Sequence, residues 1–226
     1  MSVKLVSTSK PEIDSLVDSA EDLIAYCARV SNPSNQMNTK TAPKLLRYLI
    51  KHKHWSPFEM VSMTLEIKTS RAIAAQILRH RSFSFQEFSQ RYSEAFSTSE
   101  LELRKQGETN RQVGDETSDP VVMDELYAKV TRPASELIED HFDCAFKIYK
   151  KLIDSGVARE SARMVLPLST ETTMYMAGTL RSWIHYIDLR SQEDTQKEHR
   201  QIAEACKEIF CQKFPILAEV LKWNNS

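Results

Sequence analysis

The sequence predicts a helix-rich α+β domain, its helices packed on a small, largely antiparallel sheet. Three observations carry that reading. Apolar residues recur at helical spacing through most of the chain, and one stretch alternates strictly as a strand. The chain has 226 residues, 41% of them hydrophobic, enough for one well-buried core. A single domain over 1–226 is therefore expected, with one mobile surface excursion at 97–118.

Residues 3–8 (VKLVST) read as a short edge strand. Ser9-Lys10-Pro11-Glu12 has a serine cap, an early proline and a glutamate three residues on. Ile13, Leu16, Val17, Ala20, Leu23, Ile24 and Cys27 follow at helical spacing, so a helix is expected over 10–30. Residues 31–38 are a polar loop, and Leu45, Leu46, Leu49 and Ile50 mark a second helix over roughly 40–52. His54 to Glu59 is a loop that ends in a strand. There Val61, Met63, Leu65 and Ile67 alternate with Ser62, Thr64, Glu66 and Lys68. Residues 70–80 return to helical spacing, whereas 81–93 are polar and aromatic with no clear period. Residues 97–118 have little apolar bulk and read as the surface excursion. A long helical region is expected over 120–155, broken or not at Pro133, with Gly156 as its C-terminal cap. A short helix at 158–164 stops at Leu166-Pro167. Residues 172–178 form a strand, and helices at 180–190 and 195–213 end at Pro215.

Composition removes several functions. Thirty Lys plus Arg against thirty-one Asp plus Glu give a net charge of −1, so any polyanion site must be a local cluster. No apolar run reaches the ~18 residues of a membrane span, and the N-terminus lacks the apolar core of a signal peptide. A cytoplasmic location, with no membrane partner, is the expectation. The four glycines (Gly107, Gly114, Gly156 and Gly178) fit neither G-x-G-x-x-G nor a P-loop, so a bound nucleotide must be held by side chains. Cys27, Cys144, Cys206 and Cys211 have no metal-ligand spacing and read as reduced core thiols. No H-E-x-x-H motif is present, and no metal site is expected.

Residues 79–91 (RHRSFSFQEFSQR) hold three arginines, one histidine and one glutamate, with hydroxyls alternating with aromatics. Arginine forks bind phosphate bidentately, and serine hydroxyls add donors. One alternative is an arginine-rich helix end that grips a nucleic-acid backbone without catalysis. The neutral charge argues against that alternative.

The run R-H-R-x-x-S-x-x-x-x-S-x-R resembles the signature of the flavin-dependent thymidylate synthases. The loop His54-x-Ser56-Pro57-Phe58-Glu59 is similar to the family's upstream flavin loop. Ala162-Arg163 before Leu166-Pro167 resembles a second phosphate-side arginine motif, and Arg181 through Leu189-Arg190 resembles its C-terminal arginine helix. The resemblance covers about residues 45–210. It implies that family's fold and a reductive methylation of dUMP to dTMP. Methylenetetrahydrofolate is the implied carbon donor, and FAD reduced by NADPH the implied hydride carrier. It also implies a homotetramer with active sites shared between subunits, and no nucleic-acid partner.

Carried over by residue, the resemblance implies that Gln76, Arg79, Glu87, Phe88, Ser89, Gln90, Arg91, Arg163 and Arg190 contact dUMP. FAD would meet Ser56, Arg79, His80, Arg81, Glu87, Thr179, Arg181 and His185, with Ser56 reaching it from a neighbouring subunit. His54 would face the folate and flavin side of the pocket. Arg190 would polarise the uracil ring. Gln86 and Thr179 stand where asparagine is common, and Met60 where histidine is frequent. These departures touch details of flavin contact rather than the reaction.

The chemistry fits the residues independently. Methylating C5 of uracil requires electron density there. A cysteine adding at C6 is one route, but no cysteine lies in a polar, electropositive segment. The other route is a fixed cation stabilising charge across N3, C4 and O4, which an arginine supplies without titrating. Arg181 and His185 share a helix face, while Arg190 lies about 2.5 turns beyond Arg181. Arg79 and Arg190 are the pair expected to test whether two subunits build one site. Ser89 reads as a nucleotide ligand, with no base legible beside it. Glu198-His199-Arg200 reads as a solvated helix face, and so does the basic stretch Lys44, Arg47, Lys51 and Lys53.

Overall fold

The computed structural model describes residues 1–13, 16–94, 97–108, 113–127 and 129–223. Its strands are β1 (Ser2–Thr8), β2 (Ser62–Ser70), β3 (Ser84–Glu87), β4 (Arg104–Gln106), β5 (Gly114–Thr117), β6 (Val121–Asp124), β7 (Val130–Pro133) and β8 (Glu171–Thr179). Its α-helices are α1 (Ala20–Ala28), α2 (Ala42–Lys51), α3 (Arg71–Ile77), α4 (Ala134–Asp154), α5 (Arg159–Ala162), α6 (Leu180–Arg190), α7 (Lys197–Lys213) and α8 (Pro215–Leu221). The expected α+β class is what the chain adopts. One four-stranded sheet in the order β1-β2-β8-β3, antiparallel throughout, carries the core, and two small hairpins pair β4 with β5 and β6 with β7.

The period-two pattern of β2 decides which face is buried. Met63, Leu65 and Ile67 point inward, and Met176 and Met174 of β8 pair with Leu65 and Ile67 on the same face. Ile24, Leu46, Trp183, Ile187 and Phe210 cover this face from α1, α2, α6 and α7. The Trp183 indole N–H donates to the Met63 carbonyl at 2.9 Å and fastens α6 to β2. Gly178, opposite Met63, leaves room for a ring, since a Cβ there would lie 2.4 Å from the Phe83 side chain. Among the described residues no helix is long and apolar enough to cross a membrane.

Four local expectations are corrected. The first helix begins at Ala20, not near residue 10. Ser19 Oγ accepts from the Asp22 N–H at 3.0 Å, so the true cap lies ten residues after Ser9. Residues 14 and 15 of the expected helix lie outside the described residues. Residues 84–87 form the edge strand β3, for which the alternation of Phe83 and Phe85 with serines was the available signal. The expected helix over 120–155 opens instead as the β6–β7 hairpin. Asp124 Oδ1 accepts from Leu126 and Tyr127 N–H and bends the chain, and Arg132 pairs with the fully buried Asp124 at 2.6 Å. Pro133 then precedes α4 rather than breaking it, and Gly156 (φ 81°) terminates that helix as expected. Pro215 does not end the helical region but starts α8. The 97–118 excursion contains the β4–β5 hairpin, and residues 109–112 lie outside the described residues. Glu102 bonds Lys197, and Arg104 bonds Glu198, so the excursion is tied to α7.

The α1–α8 contact makes stability pH-dependent. Buried Glu21 accepts from the Leu217 N–H at 2.7 Å, and burial pushes its carboxyl up to about 7. An acid raised on folding contributes fully below its unfolded value near 4.5 and loses that contribution as pH rises to 7. The loss is on the order of 3 kcal/mol. Glu21→Gln should therefore melt higher than wild type at pH 8, with the difference vanishing near pH 4. Thermal unfolding at both pH values checks this, and equal wild-type and variant melting temperatures at pH 8 would contradict it.

Candidate active site

The residues implied to bind ligands fall into three clusters. The first lies where the C-terminal ends of α3 and α6 meet the start of α7. Gln76, Arg79, Arg190, Asp194, Thr195 and Gln196 line a cavity of about 290 Å³. Arg190 is the last residue of α6, a helix anchored by buried Trp183, Ile184, Tyr186 and Ile187. Its Nε donates to His80 Nε2 at 2.9 Å. Burial, then the Arg190 and Arg79 charges, push the His80 imidazole down to about 4. His80 is thus neutral and free to accept, with its ring edge-on to Tyr186 at 4.9 Å. The contact leaves both terminal nitrogens of Arg190 for a ligand.

The second cluster lies at the other end of α3. Arg71, Gln90 and Arg163 line a cavity of about 270 Å³ with Met164, Leu166, Pro167 and Leu168. Glu87 Oε1 accepts from Arg71 Nη1 at 2.7 Å and from the Thr172 hydroxyl at 2.9 Å. Gln90 is 5% exposed, yet its Nε2 has no partner. A buried amide donor left unbonded is costly unless a ligand takes it. The turn after β3 sets this geometry, with Ser89 Oγ accepting from the Arg91 N–H at 3.3 Å. Phe88 and Arg91 stay exposed.

The third cluster flanks the start of α6. Thr179 caps that helix through its hydroxyl, Arg181 forms an ion pair with Glu59, and His185 stacks edge-on to Trp55 at 4.9 Å. Ser56 is exposed at the head of the Ser56–Met60 turn, and His54 lies exposed beside Tyr48, their rings 5.8 Å apart. Arg81 is exposed in the turn after α3. Arg190 points to the opposite side of α6 from Arg181 and His185, as nine residues at 100° each require.

One protomer does not bring the implied nucleotide contacts together. Gln76, Arg79 and Arg190 share one cavity, while Gln90 and Arg163 line another with Arg71 at the opposite end of α3, where Arg71 also bonds Glu87. Arg79 and Arg190 line the same cavity of the same protomer, so they are not a pair that reaches a site from two subunits. The expected solvated face at Glu198-His199-Arg200 is also corrected, because His199 is 0% exposed. Its signal was legible, since His199 lies on the apolar stripe of Ile202, Ala203, Cys206 and Phe210. Arg71 was missed, and nothing in the local sequence separates it from an ordinary helix-start arginine. Cys206 is fully buried, but Cys27, Cys144 and Cys211 are only half-buried, so three of the four expected core thiols lie at the core's margin. No cysteine lines either of these two cavities.

Comparison with known proteins follows the same lines. The family described as "Thymidylate synthase complementing protein" matches residues 13–216. A probable flavin-dependent thymidylate synthase of Paramecium bursaria Chlorella virus 1 is 50% identical, the match covering 99% of this chain and 100% of that one. A flavin-dependent thymidylate synthase of Synechocystis is 48% identical with the same coverage. Among solved structures, a UMP/dUMP methylase from Streptomyces cacaoi, bound with 5-Br dUMP, is similar with a TM-score of 0.73 and 26% identity. That match covers 98% of this chain and 94% of the methylase.

Proposed function

The chain belongs to the thymidylate synthase complementing family of flavin-dependent thymidylate synthases, and from that premise we propose how its own residues perform the reaction. The protein is a flavin-dependent enzyme that methylates dUMP to dTMP. In our reading methylenetetrahydrofolate is the carbon donor and NADPH the reductant. The observation that carries the site assignment is the Arg190–His80 contact beside Arg79 and Gln76. Neutral His80 accepts a hydrogen bond from the Arg190 Nε–H and fixes the guanidinium plane, so Arg190 turns its terminal N–H groups to the cavity from a rigid helix end. Those donors meet the N3 and carbonyl edge of the uracil and stabilise the charge that develops there, and C5 gains nucleophilicity. Arg79 and Gln76 hold the same nucleotide, and Arg163, Gln90 and Arg91 hold it from the second cluster.

We assign flavin to exposed Ser56, Arg81, Arg181 and His185 and half-buried Thr179, with Trp55 as an aromatic wall and Arg79 contributing from the first cavity. Three guanidinium groups suit a dinucleotide bound without a glycine loop. When bound, the reduced flavin supplies the hydride. His54 faces the folate side of that wall.

The two nucleotide half-sites are joined by a second copy of the chain. The second cavity is lined in part by Met164 (78% exposed) and Leu168 (72%), and Tyr92 (83%) lies two residues after its Gln90 in the chain. So much apolar surface beside an unpartnered buried amide suits a covered interface. Sites shared between copies follow from this reading, and the homotetramer that the family resemblance implies is tested by light scattering.

Removal of the thiols tests the choice of arginine over cysteine. Burial pushes the Cys206 thiol well up, and those of Cys27 and Cys211 up as well, so none is a ready thiolate. A variant lacking all four cysteines should retain dTMP formation, with ~1–3 kcal/mol lost at Cys206. A folded variant with one cysteine replaced and no turnover would restore a thiol mechanism.

A further inference from the structure

We propose that Glu198, Gln196 and His199 form a directional hydrogen-bond relay that holds the Gln76 carboxamide with an N–H toward the nucleotide cavity. They are then positioning residues for dUMP, and the inference rests on reading that cavity as part of the nucleotide site. The links are continuous. His199 Nε2 lies 3.2 Å from the Tyr186 hydroxyl, and His199 Nδ1 lies 3.2 Å from Gln76 Oε1. Gln76 Nε2 donates to Gln196 Oε1 at 2.7 Å, and Gln196 Nε2 donates to Glu198 Oε2 at 2.9 Å. Arg104 bonds the other Glu198 oxygen.

Each carboxamide and the imidazole have two orientations of nearly equal shape, so packing alone does not choose between them. The carboxylate chooses. An ionised Glu198 only accepts, so Gln196 must present its NH2 group there and its oxygen to Gln76. Gln76 must then present its NH2 group to Gln196 and its oxygen to His199. His199 must carry its proton on Nδ1, and Tyr186 donates to Nε2. The reverse order would set Gln196 Oε1 against Glu198 with no proton between them. Two conditions are needed, and both hold. Burial would raise the Glu198 carboxyl, but the hydrogen bonds from Arg104, its own N–H and Gln196 hold it below the usual range. Burial, then the Arg190 charge and His80, push His199 down to about 3, so its ring carries one proton.

The functional consequence lies at Gln76. One of its two N–H groups goes to Gln196, and the other remains for the cavity, beside Arg79 and Arg190. That wall is then made of donors and fits acceptor oxygens, whether phosphate or uracil carbonyl. Without the relay the carboxamide is free to turn its oxygen to the same ligand oxygens and repel them.

The test uses the FAD-loaded protein. Nitrogen-15 NMR of labelled histidine should place the His199 proton on Nδ1, and dUMP titration should show weaker binding by about tenfold in His199→Leu, the loss of one oriented hydrogen bond. Glu198→Gln should mix the two tautomers and weaken dUMP several-fold. His199→Asn, whose amide nitrogen can take the place of Nδ1, should bind dUMP within about twofold of wild type although it loses the Tyr186 link, a rescue that a purely structural histidine would not give. Should His199→Leu not fold, the tautomer and Glu198→Gln decide. A wild-type proton on Nε2, or dUMP affinity within twofold of wild type in both Glu198→Gln and His199→Leu, overturns the relay. A wild type with the Nδ1 proton that binds no dUMP overturns instead the reading of the cavity.

Discussion

Arg190→Ala should lose methyl transfer by roughly 10²–10³-fold while keeping flavin, the tetramer and reduction by NADPH. The size follows from the setting. Arg190 ends a helix whose other face is buried, its Nε is committed to His80, and its terminal nitrogens open into the cavity with Gln76 and Arg79. A donor fixed this way is not reorganised as charge develops on the ring, so its removal costs about 3–4 kcal/mol in the transition state. A helix-end arginine acting only on the macrodipole would be worth ~0.3–1 kcal/mol. Lysine should rescue poorly, because a point charge cannot bond His80 and the uracil edge together. The variant should also release His80 from its cationic neighbour, so the imidazole moves up from about 4 toward its ordinary value. Single-turnover dTMP formation and histidine NMR check both. Methyl transfer within threefold of wild type would reduce Arg190 to a structural residue.

Mixing Arg163→Ala with Arg190→Ala subunits should restore activity to two chains that are each nearly inactive. The substitutions lie in different cavities at opposite ends of α3, so on the proposal of a shared site they damage different halves of it. In random hybrids, about a quarter of the sites combine two intact halves. Recovery should approach that fraction of wild-type activity after subunit exchange. Arg79→Ala mixed with Arg190→Ala is the control. Both residues line one cavity of one protomer, so every hybrid site draws that cavity from one variant chain or the other and none is intact. Equal recovery in the two mixtures would contradict the division into half-sites.

Where side chains report periodicity, the sequence already tells the fold. The alternation of β2, the helical stripe of α6 and Gly156 after α4 each depend on neighbours within a few residues, and each lies where periodicity puts it. The β6–β7 hairpin does not, because its turn depends on Asp124 bonding two N–H groups and on Arg132 pairing with that buried carboxylate. The start of α1 does not either: Ser9 heads a capping pattern in the sequence, but in the fold the cap is Ser19. At the site, the charge-rich signature at 79–91 pointed to arginine chemistry. Its division between the two ends of α3 and the burial of His199 depend on how α3, α6 and α7 meet, which no single segment encodes.

Methylation of dUMP by this chain with hydride from its own flavin is tested by an anaerobic single turnover. Protein carrying reduced FAD is mixed with dUMP and methylenetetrahydrofolate, and flavin absorbance and nucleotide products are followed together. Flavin should reoxidise with one dTMP formed per flavin. Flavin that stays reduced with dUMP unchanged, in protein that binds both ligands, would show that the flavin does not supply the hydride.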